Sequence, residues 1–172
     1  MRLTSLKLES VRDLFLEELR DLYDAENQLV EALPKMADAA SSKELKDAFK
    51  HHLKETETHV SRLDGIFRNL SEKTAGETCE AMQGLVKEGE GFVHAKGHPE
   101  VRDAGLIGAA QRVEHYEMAG YGTARTLARR LGFHDIAQTL QKTLNEEAAA
   151  DEKLTSVAEG NVNPAATRKA GQ

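Results

Sequence analysis

The chain has 172 residues, which suits one domain, with 40% hydrophobic residues to fill a core and 30% charged residues to cover it. A formal net charge of −6 and a pI near 5.7 exclude the basic face that binding a phosphate backbone requires. The single cysteine, Cys79, excludes an internal disulfide and fits a reducing compartment.

Long stretches free of glycine and proline predict helix. The first helix is expected from about Leu8 to Ala39, on the seam Phe15, Leu19, Leu22, Leu29, Leu33, Met36, which is interrupted at position 26. Pro34 should kink its last turns. Ser41 and Ser42 make the connection, one of them capping the next helix. That second helix, about Ser42 to Leu70, presents Leu45, Phe49, His52, Thr56, His59, Leu63, Ile66 and Leu70, a stripe that is polar in its middle. The connector from Ser71 to Pro99 is rich in glycine, includes a short helix near Glu77–Val93, and can carry the chain from one end of a bundle to the other. A third helix is expected from about Val101 to Leu131, stopped by Gly132. The fourth, about His134 to Ala158, has the seam Ile136, Leu140, Leu144, Glu147, Asp151, Leu154, Ala158.

These elements predict an all-α fold: an antiparallel four-helix bundle of two helical hairpins with a long crossover containing a short helix, over residues 1–160. Residues 161–172, locally basic through Arg168 and Lys169, read as a flexible tail. The opening MRLTSLKLES lacks the apolar core of a signal peptide, and no run approaches the roughly 18 apolar residues of a membrane span. A soluble cytoplasmic protein with no nucleic-acid and no membrane partner is expected.

The informative feature is a set of polar residues inside the seams. Glu26 interrupts the first. Glu55 and His59 sit mid-seam in the second, Glu114 and Glu117 border the inner face of the third, and Glu147 and Asp151 lie in the fourth. In an antiparallel hairpin, residues equidistant from the turn share a level. Glu26 and Glu55 flank Ser41 almost evenly. Glu117 with Glu147, and Glu114 with Asp151, do the same about Gly132. So many inward carboxylates cannot stay charged uncompensated. A pair of divalent ions supplies the missing charge, and carboxylates with imidazole suit iron or manganese.

The stretches ELRDLYDAENQL, HLKETETHVSRLDGIF, CEAMQGLVKEG, AQRVEHYEMAGYG and NEEAAADEKL carry a further signal. Together, over nearly the whole chain, they resemble the YciE/YciF family of ferritin-like bacterial stress proteins. The resemblance implies a ferritin-like bundle, a homodimer, and two divalent metal ions per chain, iron before manganese, in a site similar to that of rubrerythrins and bacterioferritins. Carried over, it makes Glu26 the ligand of the first helix and Glu55 the bridging carboxylate of the second, with His59 beside it. Glu114 or Glu117 serves from the third helix, and Glu147 with Asp151 from the fourth. The chain departs from the Glu-x-x-His pattern of such bundles. The second helix reads Glu55-x-x-x-His59, and the fourth has Glu147-x-x-x-Asp151 with no histidine. His52 competes with His59, which is favoured because it follows its glutamate. Tyr23 and Tyr121 are candidates to hold metal carboxylates, or ordinary core tyrosines. Arg20, Arg62 and Lys142 offer plain ion pairing to Glu26, Glu55 and Glu147. Cys79 reads as a small buried residue. Three functions compete: a dinuclear oxidase, peroxidase or catalase-like enzyme acting on peroxide, dioxygen or ferrous iron; an iron-sequestering protein; and a non-catalytic stress bundle with weak metal binding.

Overall fold

Ser10 starts the first helix by accepting the Asp13 amide on its hydroxyl at 3.1 Å, and α1 then runs over Val11–Ala39. The computed structural model describes residues 6–74, 76 and 78–170. Pro34 sits inside α1, which continues through it for another turn. Ser42 caps α2 (Lys43–Leu70) through the Leu45 amide. Cys79 caps α3 (Glu80–Val93), and Pro99 opens α4 (Pro99–Arg130) at a position where its missing N–H costs nothing. Gly132, at φ +78°, takes the left-handed turn that ends α4, and Phe133 N donates back to Ala128 O at 2.9 Å. The fourth long helix is α5 (His134–Val157). No strand occurs among the described residues.

The four long helices form the expected bundle of two hairpins. α1 packs on α2 and α4, and α5 packs on α4 and α2. The contacts of Glu26 with Tyr121 and of Ser41 with Asp103 run α1 and α4 antiparallel. Those of His59 with Glu146 and of Glu44 with Lys153 do the same for α2 and α5. The crossover helix α3 lies against α1 and α4, with Met82 fully buried beneath it. It starts at Glu80; the expected start at Glu77 lies outside the described residues, as do residues 1–5 of the opening segment.

The expected loose tail is helical instead. After a π-turn at Ala158–Val162 the chain continues as α6 (Asn163–Ala170), which packs on α4. Gly160 and Pro164 read as breakers in sequence, but Pro164 falls in the first turn of α6, where proline is tolerated. Val162, buried at 3% exposure, anchors the segment. Gly171 and Gln172 lie outside the described residues.

The apolar core is split. One cluster gathers Leu29, Leu33, Leu45, Phe49, Leu106, Ile107, Leu154 and their neighbours at the Ser41 end. The other gathers Phe15, Leu19, Leu22, Leu63, Phe67, Ala128, Ile136 and Leu140 at the Gly132 end. The polar residues of the seams lie between them.

The α1–α2 turn is held by Asp103, a buried carboxylate of α4 that accepts the Ser41 amide at 2.9 Å and the Ser42 amide at 2.7 Å. Charge-assisted bonds of this kind contribute about 2 kcal/mol when removal leaves buried donors. Asp103→Ala should therefore lower unfolding free energy by about 2 kcal/mol in urea titration without changing the slope, and Asp103→Asn by about half as much.

Candidate metal centre

Each long helix contributes to one level by its own periodicity. α1 brings Glu26 into the gap between Leu22 and Leu29. On α2, His52, Thr56 and His59 are spaced four and three apart, so they share the buried stripe that continues to Leu63. On α4, Glu114, Glu117 and Tyr121 follow the same rule, and Thr143 and Glu147 do so on α5. Glu26, His59, Glu117 and Glu147 are 0% exposed, Glu114 is 2% and His52 is 6%.

Two groups of donor atoms form within this layer, each with its atoms within 4.8 Å of one another: Glu26, His59 and Glu147 in one, His52, Glu114, Glu117 and Glu147 in the other. Glu147 belongs to both. Cations bound at about 2.0–2.6 Å place opposite ligands about 4–5 Å apart, so both groups have the span of an ion's shell. In the first, His59 Nδ1 lies 2.9 Å from Glu147 Oε1 and 3.3 Å from Glu26 Oε1. In the second, His52 Nε2 lies 3.3 Å from Glu114 Oε1 and 3.6 Å from Glu147 Oε2.

Outer residues hold the donors in place. His59 Nε2 meets Glu146 Oε2 at 3.0 Å, which turns Nδ1 toward the layer. Arg62 clamps Glu146 through both guanidinium nitrogens and donates to Thr143 Oγ1 at 3.0 Å. The Tyr121 hydroxyl donates to Glu26 Oε1. Glu26 Oε2, Glu114 Oε2 and both oxygens of Glu117 remain buried without a hydrogen-bond or ion-pair partner among the described residues, while His52 Nε2, His59 Nδ1 and both oxygens of Glu147 have only the ion-pair approaches just given. Buried polar atoms are almost always satisfied, so so many converging orphans, all acceptors or imidazole nitrogens, fit a bound cation pair.

Residues 10–167 match the family described as a domain of unknown function, DUF892. The chain belongs to this family. Protein YciF of Escherichia coli K12 is 45% identical over 166 residues, spanning 96% of this chain and 100% of YciF. The solved structure of the E. coli stress protein YciF matches with a TM-score of 0.87 at 44% identity, covering 91% of this chain and 99% of that one. YcfI of Rhodopseudomonas palustris matches at 0.86 and 42% identity, covering 90% and 99%. A Xanthomonas campestris protein at 20% identity and TM-score 0.73, covering 92% and 98%, shares the fold alone. The resemblance and the helical bundle read from the sequence both hold.

Within this DUF892 chain, the structure brings together Glu26, His59, Glu114, Glu117 and Glu147, and leaves Glu55 and Asp151 outside both groups. Glu55 sits one position off the stripe of Thr56, about 100° around the helix. It turns to the surface edge, 28% exposed, against His51 at 3.5 Å and His52 at 3.4 Å. Glu147 is the carboxylate common to both groups, and Glu55, expected to bridge, belongs to neither. Asp151 lies one turn beyond Glu147 and reaches across to α4, where Gln111 Nε2 donates to it at 3.0 Å and the exposed His115 approaches to 3.4 Å. His52 and His59 both join the layer rather than competing. Glu146, which meets His59 from outside the layer, carries no signal in the sequence beyond its adjacency to Glu147.

The plain ion pairings fall elsewhere: Arg20 is 3.6 Å from Glu72, and Arg62 is on Glu146. Tyr23 packs edge-on against Phe67 rather than on Glu26. Cys79, buried at 1% exposure, caps α3 and meets the Tyr116 hydroxyl at 3.1 Å; burial pushes its thiol up to about 11. No helix among the described residues is long and apolar enough to cross a membrane.

Burial pushes the Glu117 carboxyl well above its ordinary value, and Glu26, Glu147 and Glu114 push it further. Burial also raises Glu26 and Glu147, against the opposing pull of His59. Burial alone would lower His59, but its bonds to Glu147 and Glu26 outweigh that and lift it to about 10. Without a cation, burial thus favours protons on these carboxyls and the carboxylates favour imidazolium at His59, and Glu117 has neither hydrogen-bond partner nor ion pair among the described residues. Glu117→Gln removes the repulsion and keeps the shape. In chelator, the variant should be about 1–2 kcal/mol more stable than the wild type by urea unfolding at neutral pH. A loss of stability there would mean that Glu117 is compensated as it stands.

Proposed function

We propose that this chain holds two divalent metal ions, iron before manganese, between its two apolar clusters, one on Glu26, His59 and Glu147 and the other on His52, Glu114, Glu117 and Glu147. The observation that carries this is the convergence of buried carboxylate oxygens and imidazole nitrogens from all four long helices on one level, with both oxygens of Glu117 left unpartnered among the described residues. Bound there, the pair would supply Lewis-acid and redox chemistry toward peroxide, dioxygen or ferrous iron. The chain's own part is positional. The clamp of Arg62 on Glu146 fixes the ring of His59, and the Tyr121 hydroxyl fixes the rotamer of Glu26. The flanking clusters keep bulk water away from both ends of the layer. A stress role, as described for E. coli YciF, a homodimer and a cytoplasmic location belong to the same proposal.

One observation favours a second reading. His59 stands within ion-pair distance of Glu26, Glu146 and Glu147, and His52 of Glu55, Glu114 and Glu147. Two imidazolium ions therefore offset part of the buried negative charge without any metal, as a purely structural layer would. The relative YcfI is provisionally described as a structural protein.

Metal analysis separates the two. Protein reconstituted with ferrous iron or manganese and freed of excess should hold two ions per chain, one for each donor group. Its melting free energy should rise by about 3 kcal/mol at a hundredfold excess over the dissociation constant. Glu26→Ala with Glu147→Ala should abolish both effects, whereas Glu55→Ala and Asp151→Ala should each retain most of the metal. Well under one ion per chain in the wild type would overturn the metal reading in favour of the structural one.

A further inference from the structure

A groove of about 810 Å³ opens between α2 and α5 and ends at the layer, where His52, Glu55 and Glu114 form its inner wall. Peroxide or dioxygen needs little more than the space of a water, about 30 Å³. This groove falls instead within the roughly 300–1,000 Å³ of organic-ligand sites. Its sides are Ala48 and Phe49 from α2 and Ala149, Ala150 and Leu154 from α5. Ala150 is decisive. It stands three residues after Glu147, where the Glu-x-x-His pattern of dinuclear bundles places its second imidazole. Here that imidazole comes from His52 on α2, and the vacated position on α5 is a methyl group that widens the groove.

The charges define the occupant. At the mouth, Lys43 is paired with Asp47 at 2.5 Å and Lys153 with Glu44 at 3.0 Å, so each lysine's charge is offset by a carboxylate beside it. The inner wall carries the carboxylates of Glu55 and Glu114, which outnumber the single imidazole of His52 there and disfavour an anion. A compact cation would compete with His51 and His52 for Glu55 and would bury its charge against Phe49, Leu154 and Ala150. A neutral hydroxyl has no charge to bury, and it can donate to a further lone pair of the acceptor-only carboxylate of Glu55 beside His51 and His52. We propose that this groove binds an uncharged, largely apolar organic molecule bearing a phenolic or alcoholic hydroxyl, seated with that hydroxyl on Glu55. As a substrate site beside a metal pair it rests on the reading above; as a binding site it does not.

The probe is 1-naphthol, with 1-naphthoate as its anionic counterpart; the chain has no tryptophan to obscure naphthol fluorescence. Naphthol should bind saturably, one per chain, to metal-loaded and chelator-treated protein alike, and naphthoate at least about tenfold more weakly. Ala150→Leu puts a strong helix former on the groove wall and should weaken naphthol at least about tenfold, with the melting temperature and metal content unchanged. Ala149→Leu, on the same side, serves if the first variant melts early. Glu55→Ala should weaken naphthol about threefold to tenfold and leave naphthoate no weaker. No saturable binding, equal binding to wild type and both leucine variants, or naphthoate as tight as naphthol would overturn the proposal. So would a change of oligomeric state in Ala150→Leu by light scattering, which would assign the groove to a second copy of the chain. Metal content is measured separately. Saturable naphthol binding by protein that holds well under one ion per chain after reconstitution would sink the metal reading alone, and two ions per chain without naphthol binding would sink this one alone.

Discussion

Burying Glu26, His52, His59, Glu114, Glu117 and Glu147 at one level is the constraint to which the rest of the molecule answers. An unsatisfied buried polar group costs about 1–3 kcal/mol, and a domain of this size retains only about 5–15 kcal/mol of net stability. Several orphaned oxygens in one layer therefore approach the whole margin. The layer is tolerable only where opposite charge compensates it and where enough apolar surface lies on each side to fold the chain regardless. The split core meets the second condition, with one closed apolar cluster at the Ser41 end and another at the Gly132 end. Helices of 24 to 32 residues are what this arrangement needs, since each must cross both clusters and the layer between.

A layer drawn from four helices also demands exact register, because sliding one helix by a residue would turn its carboxylate out of the core. The turns supply that register. Asp103 ties the Ser41–Ser42 amides to α4, and the left-handed Gly132 with the Phe133–Ala128 bond ends α4 at a fixed residue. Between the two hairpins, the Tyr121 bond to Glu26 joins α4 to α1, while the clamp of Arg62 on Glu146 and Thr143 joins α2 to α5. The bonds that orient the layer's donors are thus the ones that lock the bundle, which couples the site's geometry to the fold's register.

The bundle, its two hairpins and the level of the polar layer were legible because each depends on spacing. Seam periodicity finds the helices, and equal distance from Ser41 or Gly132 finds the level. What spacing does not resolve is the phase of a residue near the edge of a stripe. Glu55 and Asp151 fall within reach of the inner face on a helical wheel, yet each turns out to a local partner: His51 for Glu55, and Gln111 with His115 for Asp151. His52 and His59 are a full two turns apart and looked like alternatives. They serve separate donor groups because the layer is thicker than one turn. Glu146 was hidden for a different reason: its role is to hold His59 from outside, and such a residue leaves no gap in an apolar seam. The helical end of the chain was missed because Gly160 and Pro164 read as breakers, while the anchoring role of Val162 exists only in the packed fold.

If the layer holds the proposed metal pair, the departures from the usual dinuclear pattern share one explanation. That pattern takes an imidazole from each of two helices, three residues after a glutamate. In this chain α2 provides both, as His52 and His59, and α5 provides Glu147 followed by Ala150. Moving an imidazole from α5 to α2 leaves the donor count of the layer intact and removes bulk from one wall. The space released is on the side where His52, Glu55 and Glu114 meet the groove. Restoring the pattern with Ala150→His would add a third imidazole to a layer already supplied with two, and would close the groove. On the proposed metal reading, the histidine absent from α5 is an opening beside the layer, with Ala150 on its wall, rather than a defect of the site.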